Sequence, residues 1–526
     1  MDVVIVGAGF AGMYMLHKLR GQGMTARVFE AGSGVGGTWY WNRYPGARCD
    51  VDSLEYSYQF DEALQQEWQW SQRYSPQPEI LRYAEHVAER FGLKSDIQFD
   101  TRVESALYDE AAGRWRVTTS DGAQASAQFL ILATGCLSSA KLPEIDGIES
   151  FAGERYHTGR WPHHAVDFSG KRVGMIGTGS SAIQSIPIIA REAQSLVVFQ
   201  RTPTYSVPAR NRPIDSAYEA RIKSDYTGFR ARNSRMPNAF GSDFPRNEAS
   251  ALSVGAEQRM QAFEERWQRG GLPFLGTFGD LMLNGEANAA AAEFVRGKIR
   301  GIVQDPATAA RLTPRQTIGC KRLCVDTDYY ATFNRPNVRL VDLREAPLEA
   351  ITPAGVRSGG VEHVFDCLVF ATGFDAMTGS LMAIDIRGRG GLALRNKWRD
   401  GPRSYLGLGS AGFPNLFFIT GPGSPSVLTN MMVSIEQHVN WIAGCLDWMR
   451  LHRHSRIEAS AVAEVEWGKH VNAVADRTLY PTCNSWYLGA NVPGKPRVFM
   501  PLIGFPPYVE KCSEVAARGY EGFELS

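Results

Sequence analysis

Several things are scarce in this 526-residue chain, and each scarcity narrows what it can be. Charge of one sign is the first: 56 basic against 55 acidic residues leave a formal charge of +1, with no long block of either kind. Nucleic acid or an anionic membrane would need a broad basic face, so neither is an expected partner. A C-x-x-C pair is also missing. The eight cysteines, Cys49, Cys136, Cys320, Cys324, Cys367, Cys445, Cys483 and Cys512, are scattered. Cys320 and Cys324 stand four apart, but no second His or Cys pair completes a metal set, so no metal is expected. Free thiols in a reducing compartment are the expectation. No apolar run approaches the roughly 18 residues of a membrane span. Met1 to Val6 lacks a basic flank and runs into a glycine turn, which reads as a strand rather than a signal peptide. The sequence thus predicts a cytoplasmic protein, a monomer or a weak oligomer.

Glycine, in contrast, is plentiful: 53 residues, against a usual share of about 7%. Much of it sits in short turns after apolar runs. With 44% hydrophobic and 21% charged residues the chain has a globular composition, and its length suits two or three domains.

Val3 to Val6 is a continuous apolar run, as in a strand buried on both faces. Gly7-Ala-Gly9-Phe-Ala-Gly12 follows, then a helical stretch to about Arg20, then a strand from Ala26 to Phe29 ending at Glu30. The unit repeats: a strand Arg172 to Ile176, the turn Gly177-Thr-Gly179-Ser-Ser-Ala182, a helix to about Glu192 and a strand Leu196 to Phe199. One G-x-G-x-x-G turn is weak evidence; two, each between strand and helix, predict an α/β fold with two Rossmann-like dinucleotide-binding domains. Between Tyr205 and Thr313 the period turns helical, notably over Ala256 to Arg269 and Ala289 to Gly301. That stretch is too long for a connection and reads as a helical insertion. Strands return at Val338 to Val341, Cys367 to Ala371 and Leu416 to Ile419, and a long helix is expected from about Val427 to Arg450. The expected division is 1–139 with 374–526 for one nucleotide, 140–210 with 320–373 for the other, and 211–319 for the insertion.

The residue ending the second strand of such a unit reads the adenosine ribose. Glu30, 23 residues after Gly7, suits an unphosphorylated ribose, as in FAD. At the same distance after Gly177 stand Gln200, Arg201 and Thr202, with no acid. A guanidinium there suits the 2′-phosphate of NADPH. A second glycine loop, Gly34 to Gly37, and the paired segments Ala133-Thr134-Gly135 and Ala371-Thr372-Gly373 make the first unit the flavin site. Gly7, Gly9, Gly12, Glu30 and Gly37 are therefore FAD candidates. Gly177, Gly179, Ser180, Ser181, Gln184, Arg201 and Thr202 are NADP candidates, with phosphate held at each helix N-terminus.

Phe151-Ala-Gly153-Glu-Arg-Tyr-His157-Thr158-Gly-Arg-Trp161-Pro162 resembles the type I Baeyer–Villiger monooxygenase fingerprint F-x-G-x-x-x-H-x-x-x-W-P/D at every position. Gly37 to Asp50, Lys321-Arg322, Gly421 to Ser426 and Ser485-Trp486-Tyr487 are also similar to that family, closest to its phenylacetone and steroid branch. The resemblance implies oxygen insertion next to a ketone through a C4a-peroxyflavin, with FAD, NADPH and O2 as reactants and a small-molecule ketone as partner. It further implies Arg322 as the catalytic cation and Asp50 as its orienting partner. Thr38, Trp39, Trp41, Asp50, Tyr56 and Val103 join the FAD set. Arg48, Lys321 and a mobile-loop Trp486 join the NADP set. Ser426, Val427, Leu428 and Met431 would border an apolar ketone pocket, though those four could equally begin a packed helix. On spacing alone His157 reads as structural. The alternative activity is N- or S-oxygenation by the same cofactors.

Overall fold

The computed structural model describes residues 1–490, 492–495 and 504–526. Two five-stranded parallel sheets organise these residues. In the first the order is Leu416–Phe418, Phe129–Leu132, Val3–Val6, Ala26–Phe29 and Ile97–Gln98. The second runs Val338–Asp342, Ser195–Gln200, Arg172–Ile176, Cys367–Phe370 and Glu154–His157. Strands such as Val3–Val6, Phe129–Leu132 and Cys367–Phe370 are apolar throughout because both faces are covered, one by helices and the other by antiparallel strands.

The two halves share one local device. Each glycine turn lies against the carbonyl that begins an Ala-Thr-Gly segment. A Cβ on Gly7 (φ +103°) would stand 2.6 Å from the Ala133 oxygen, and one on Gly177 (φ +114°) 2.4 Å from the Ala371 oxygen. A side chain fits neither place, so helix Phe10–Gly21 and helix Ser180–Glu192 start tight against their sheets.

The insertion is helical, with Ala256–Arg269 and Gly285–Ile302 packing into the core of the second sheet through Phe263, Trp267, Phe294 and Val295. Two differences from the sequence reading stand out. The long helix begins at Met431, not Val427; Ser426–Leu428 forms a separate tight turn, and the Asn430 side chain accepts the Met432 N–H at 3.1 Å as a cap. Antiparallel strands at Val103–Asp109, Arg114–Thr119 and Gln124–Ala127, and another set over 348–364, were not foreseen, because their half-exposed faces leave little apolar signal. No described helix is long and apolar enough to cross a membrane.

Candidate active site

The first glycine turn ends in an open backbone. Gly9 caps helix Phe10–Gly21 without a side-chain partner, and its Cα lies against Gly37, where a Cβ would meet it at 2.9 Å. Gly12 sits over the same turn; a Cβ there would be 1.8 Å from the Gly7 oxygen. Glu30 is 5% exposed. Its carboxylate accepts Ala8 N–H at 2.6 Å and Gly32 N–H at 2.8 Å. Burial nevertheless raises its pKa above the usual carboxylate value, against the pull of those amides. Each oxygen keeps a lone pair for a further donor, as a ribose diol would supply. The Thr101 N–H donates to the Glu30 carbonyl at 2.8 Å, which brings buried Val103 to the same end of the sheet.

Gly37 (φ +55°) starts the short helix Thr38–Trp41. Thr38 is exposed. Trp39 is buried, and its indole N–H donates to the Tyr56 hydroxyl at 3.1 Å. Trp41 packs edge-on to Tyr40 at 4.9 Å.

The second turn offers a different surface. Gly179 caps helix Ser180–Glu192, and a Cβ built on it meets nothing within 4 Å. Gly179 and Ser180 are exposed, Ser181 and Thr202 half-buried, and the first helical turn carries no acid. Ser180 Oγ lies 3.1 Å from the Cys324 sulfur. Thr202 gives its carbonyl to the Thr178 hydroxyl at 3.1 Å. Arg201 is exposed and Lys321 half-buried. Burial, then the charge of Arg201, lowers the Lys321 pKa. Two cations that repel one another on an open surface form a site for an anion of charge above one. Arg48 is likewise without an acidic partner among the described residues, donating only to Gln72 Oε1 at 3.3 Å and the Tyr74 carbonyl at 3.5 Å. Gln184 is spent on this loop: its oxygen accepts the Tyr44 hydroxyl at 2.9 Å and its amide donates to the Arg48 carbonyl at 3.1 Å. It therefore holds the Arg48 segment onto the helix that follows the second glycine turn.

Arg322 and Asp50 form an ion pair. Arg322 Nε donates to Asp50 Oδ2 at 2.7 Å, Nη2 donates to Asp50 Oδ1 at 2.9 Å, and Nη1 donates to the Val427 carbonyl at 2.8 Å. Both side chains are 24% exposed. Burial opposes the charge on Arg322, but Asp50 and then Tyr487 outweigh it and hold the pKa well above the ordinary arginine value. Arg322 lines a cavity of about 270 Å³ whose other walls are mostly apolar, among them Met236, Phe240, Leu275, Phe278, Val427 and Leu428. Met431 and Trp486 pack beside Val427, Leu428 and Tyr487 in one apolar cluster. Ser426 is fully buried and does not line the cavity. Sequence reasoning missed the wall that the insertion supplies, and it gave Tyr487 no role; its place beside Trp486 was the one available signal.

His157 is structural. Nδ1 accepts the Gly159 N–H at 3.0 Å, so Nε2 carries the proton and faces the Lys141 carbonyl at 3.2 Å. Burial lowers its pKa. One expectation is corrected: Cys320 and Cys483 are joined as a disulfide, because the segment before Trp486 folds back onto the segment before Arg322. The other six cysteines are free and buried.

Comparison with known proteins agrees with this geometry. The pyridine nucleotide-disulphide oxidoreductase family matches residues 4–226, a span that holds both glycine turns. A phenazine N-monooxygenase of Lysobacter antibioticus is 44% identical over 100% of this chain and 97% of its own. A Baeyer-Villiger monooxygenase of Pseudooceanicola batsensis is 42% identical over 99% and 95%. The solved structure of an oxidized steroid monooxygenase bound to NADP superposes with a TM-score of 0.95 at 50% identity, covering 100% of this chain and 99% of that one.

Proposed function

The chain belongs to the Baeyer–Villiger monooxygenases, and from that premise we propose that it uses FAD, NADPH and O2 to turn a hydrophobic ketone into an ester or lactone. Aryl, alicyclic and steroid ketones all suit the apolar cavity. The observation that carries the reading is Arg322, paired with Asp50, lining that cavity.

The donor sets fit both cofactors. Gly7, Gly9, Gly12, Glu30 and Gly37 would hold FAD within 1–139 and 374–526, with Trp39, Trp41, Tyr56 and Val103 around it. Arg201 and Lys321 would hold the NADPH 2′-phosphate within 140–210 and 320–373. Gly179, Ser180, Ser181, Thr202 and Arg48 would hold the remaining phosphate and ribose groups. When bound, the flavin would supply the redox chemistry, namely hydride acceptance from NADPH and activation of O2.

The chain's own contribution is electrostatic and steric. Arg322 keeps its proton at every working pH, so it offers a fixed positive charge to an oxyanion developing on the ketone carbonyl. Asp50 fixes the plane of the guanidinium through two charge-assisted hydrogen bonds. The Val427 carbonyl takes a third donor, so the group is oriented before substrate arrives. Apolar walls exclude water, which strengthens the interaction. A cytoplasmic location fits this chemistry.

A second reading is N-oxygenation of an aromatic heterocycle, favoured by the phenazine N-monooxygenase relative. One experiment separates the two: incubate the yellow holoenzyme with NADPH and either a ketone panel or phenazine. Ketone-stimulated NADPH oxidation, with a product one oxygen heavier that alkali splits into alcohol and acid, supports the proposal. An alkali-stable N-oxide from phenazine, with no ketone product, overturns it.

A further inference from the structure

We propose that Cys320 and Cys483 are positioning residues that form a reversible covalent latch, tying the Trp486–Tyr487 loop to the segment that carries Arg322. The disulfide joins residues 163 apart in sequence, and its two ends land at functional places. Cys320 is two residues before Arg322; Cys483 is three residues before Trp486. Past the latch, Tyr487 is buried beside Val427 and lines the same cavity as Arg322, and Trp486 packs against it at 4.3 Å between ring centres.

Non-covalent contacts also join the two segments: the Tyr487 side chain meets the Arg322 guanidinium, and the Thr317 and Thr482 hydroxyls lie 3.3 Å apart. That threonine pair is exposed, where water competes for both groups. Two short tight turns, Tyr480–Thr482 and Trp486–Leu488, make up the loop, so few backbone hydrogen bonds hold its shape. The covalent link adds to these contacts a tie that a thiol reagent can open and an oxidant can close.

The chemistry needs only ordinary reagents. Cys320 is fully buried, while Cys483 is half-exposed. The thiolate of a small dithiol attacks the Cys483 sulfur, the S–S bond breaks, and Cys320 leaves as a thiolate that takes a proton. The second thiolate of the reagent then displaces Cys483 and closes the reagent's own disulfide. In the reverse direction hydrogen peroxide oxidises one thiol to a sulfenic acid and releases water. The other thiol displaces a second water and restores the bond. Oxidised enzyme holds the loop down; reduced enzyme lets it open.

The proposal rests on the reading of this loop as part of the NADP site, and two arms of its test need no turnover. FAD-loaded enzyme is alkylated after unfolding, with and without dithiothreitol. Six modified cysteines before reduction and eight after are expected. On the folded enzyme, hydrogen exchange over 479–488 should be faster after reduction, and NADP⁺ binding weaker by about fivefold or more. Cys483→Ser should match the reduced enzyme in both and ignore dithiothreitol; Cys320→Ser, the same link broken from its other end, should do likewise. Eight alkylated cysteines in protein never exposed to reductant would overturn the latch. So would a shift in melting temperature alone, with exchange and NADP⁺ affinity unmoved. Loss of ketone oxidation in every form would leave these readouts intact, so the two proposals fail separately.

Discussion

Arg322 and Asp50, 272 residues apart in sequence, meet in two parallel hydrogen bonds of 2.7 and 2.9 Å at the edge of an apolar cavity. The geometry is two-pronged, so the acid controls the orientation of the guanidinium as well as its charge. Asp50→Asn keeps one acceptor but loses the ionic pairing. Product formation from a ketone should fall about 10-fold to 100-fold, in line with the loss of about 1.5–3 kcal/mol for a charged hydrogen bond. NADP⁺ affinity should stay unchanged. Steady-state kinetics with product quantification reads the first and fluorescence titration the second.

Arg201 and Lys321 crowd their charges together at the second nucleotide turn. Arg201→Ala should raise the KM for NADPH by about 10-fold to 100-fold, the equivalent of one charge-assisted contact, and leave the KM for NADH almost unmoved. Lys321→Ala should act in the same direction. Parallel NADPH and NADH kinetics check both. Wild-type enzyme that prefers NADH would contradict the assignment.

Gly12 has no room for a methyl group: its Cβ would stand 1.8 Å from the Gly7 oxygen. That neighbour is backbone, so the turn must move. Gly12→Ala should destabilise the apoprotein by about 1–3 kcal/mol, the usual cost of overpacking, and should weaken FAD retention. Urea unfolding and the flavin-to-protein absorbance ratio are the measurements.

Glu436 provides a pH signature. It is 5% exposed, and burial, opposed by the Gln59 N–H at 2.8 Å, raises its carboxyl from 4.5 to about 7. A raised carboxylate pKa means that the folded state binds the proton more tightly. Stability is therefore full at low pH and falls as pH climbs from about 4.5 to about 7. The loss is on the order of 3 kcal/mol, at about 1.4 kcal/mol per unit. Glu436→Gln keeps an acceptor for Gln59 and removes the charge. Its melting temperature should exceed that of wild type at pH 8, and the gap should close at pH 5. A gap of equal size at both values would refute the assignment.

What the sequence made legible follows from range. Val3–Val6 and Val173 to Ile176 announced themselves because a strand buried on both faces carries no polar side chain, and the adjoining glycines report a local backbone need. Glu30 and Arg201 were legible because they stand at a fixed distance from those glycines. The strand Val103–Asp109 was not, since exposed positions interrupt its apolar pattern. The start of the long helix was misplaced by four residues, although Asn430 was a visible capping signal. Arg322 with Asp50, and Cys320 with Cys483, come together only when the whole chain closes. Spacing holds no trace of either. The family motifs named the first pair; nothing in the sequence named the second.

The central claim is that a fixed charge at position 322 serves oxygen insertion and not cofactor reduction. Anaerobic stopped-flow of Arg322→Ala with NADPH, followed by admission of O2 and a ketone, tests it in one preparation. Flavin should bleach at close to the wild-type rate, while ester formation falls by about 10²–10³, the usual cost of losing one preorganised donor. Ester formed at the wild-type rate, with or without slowed bleaching, would contradict the account.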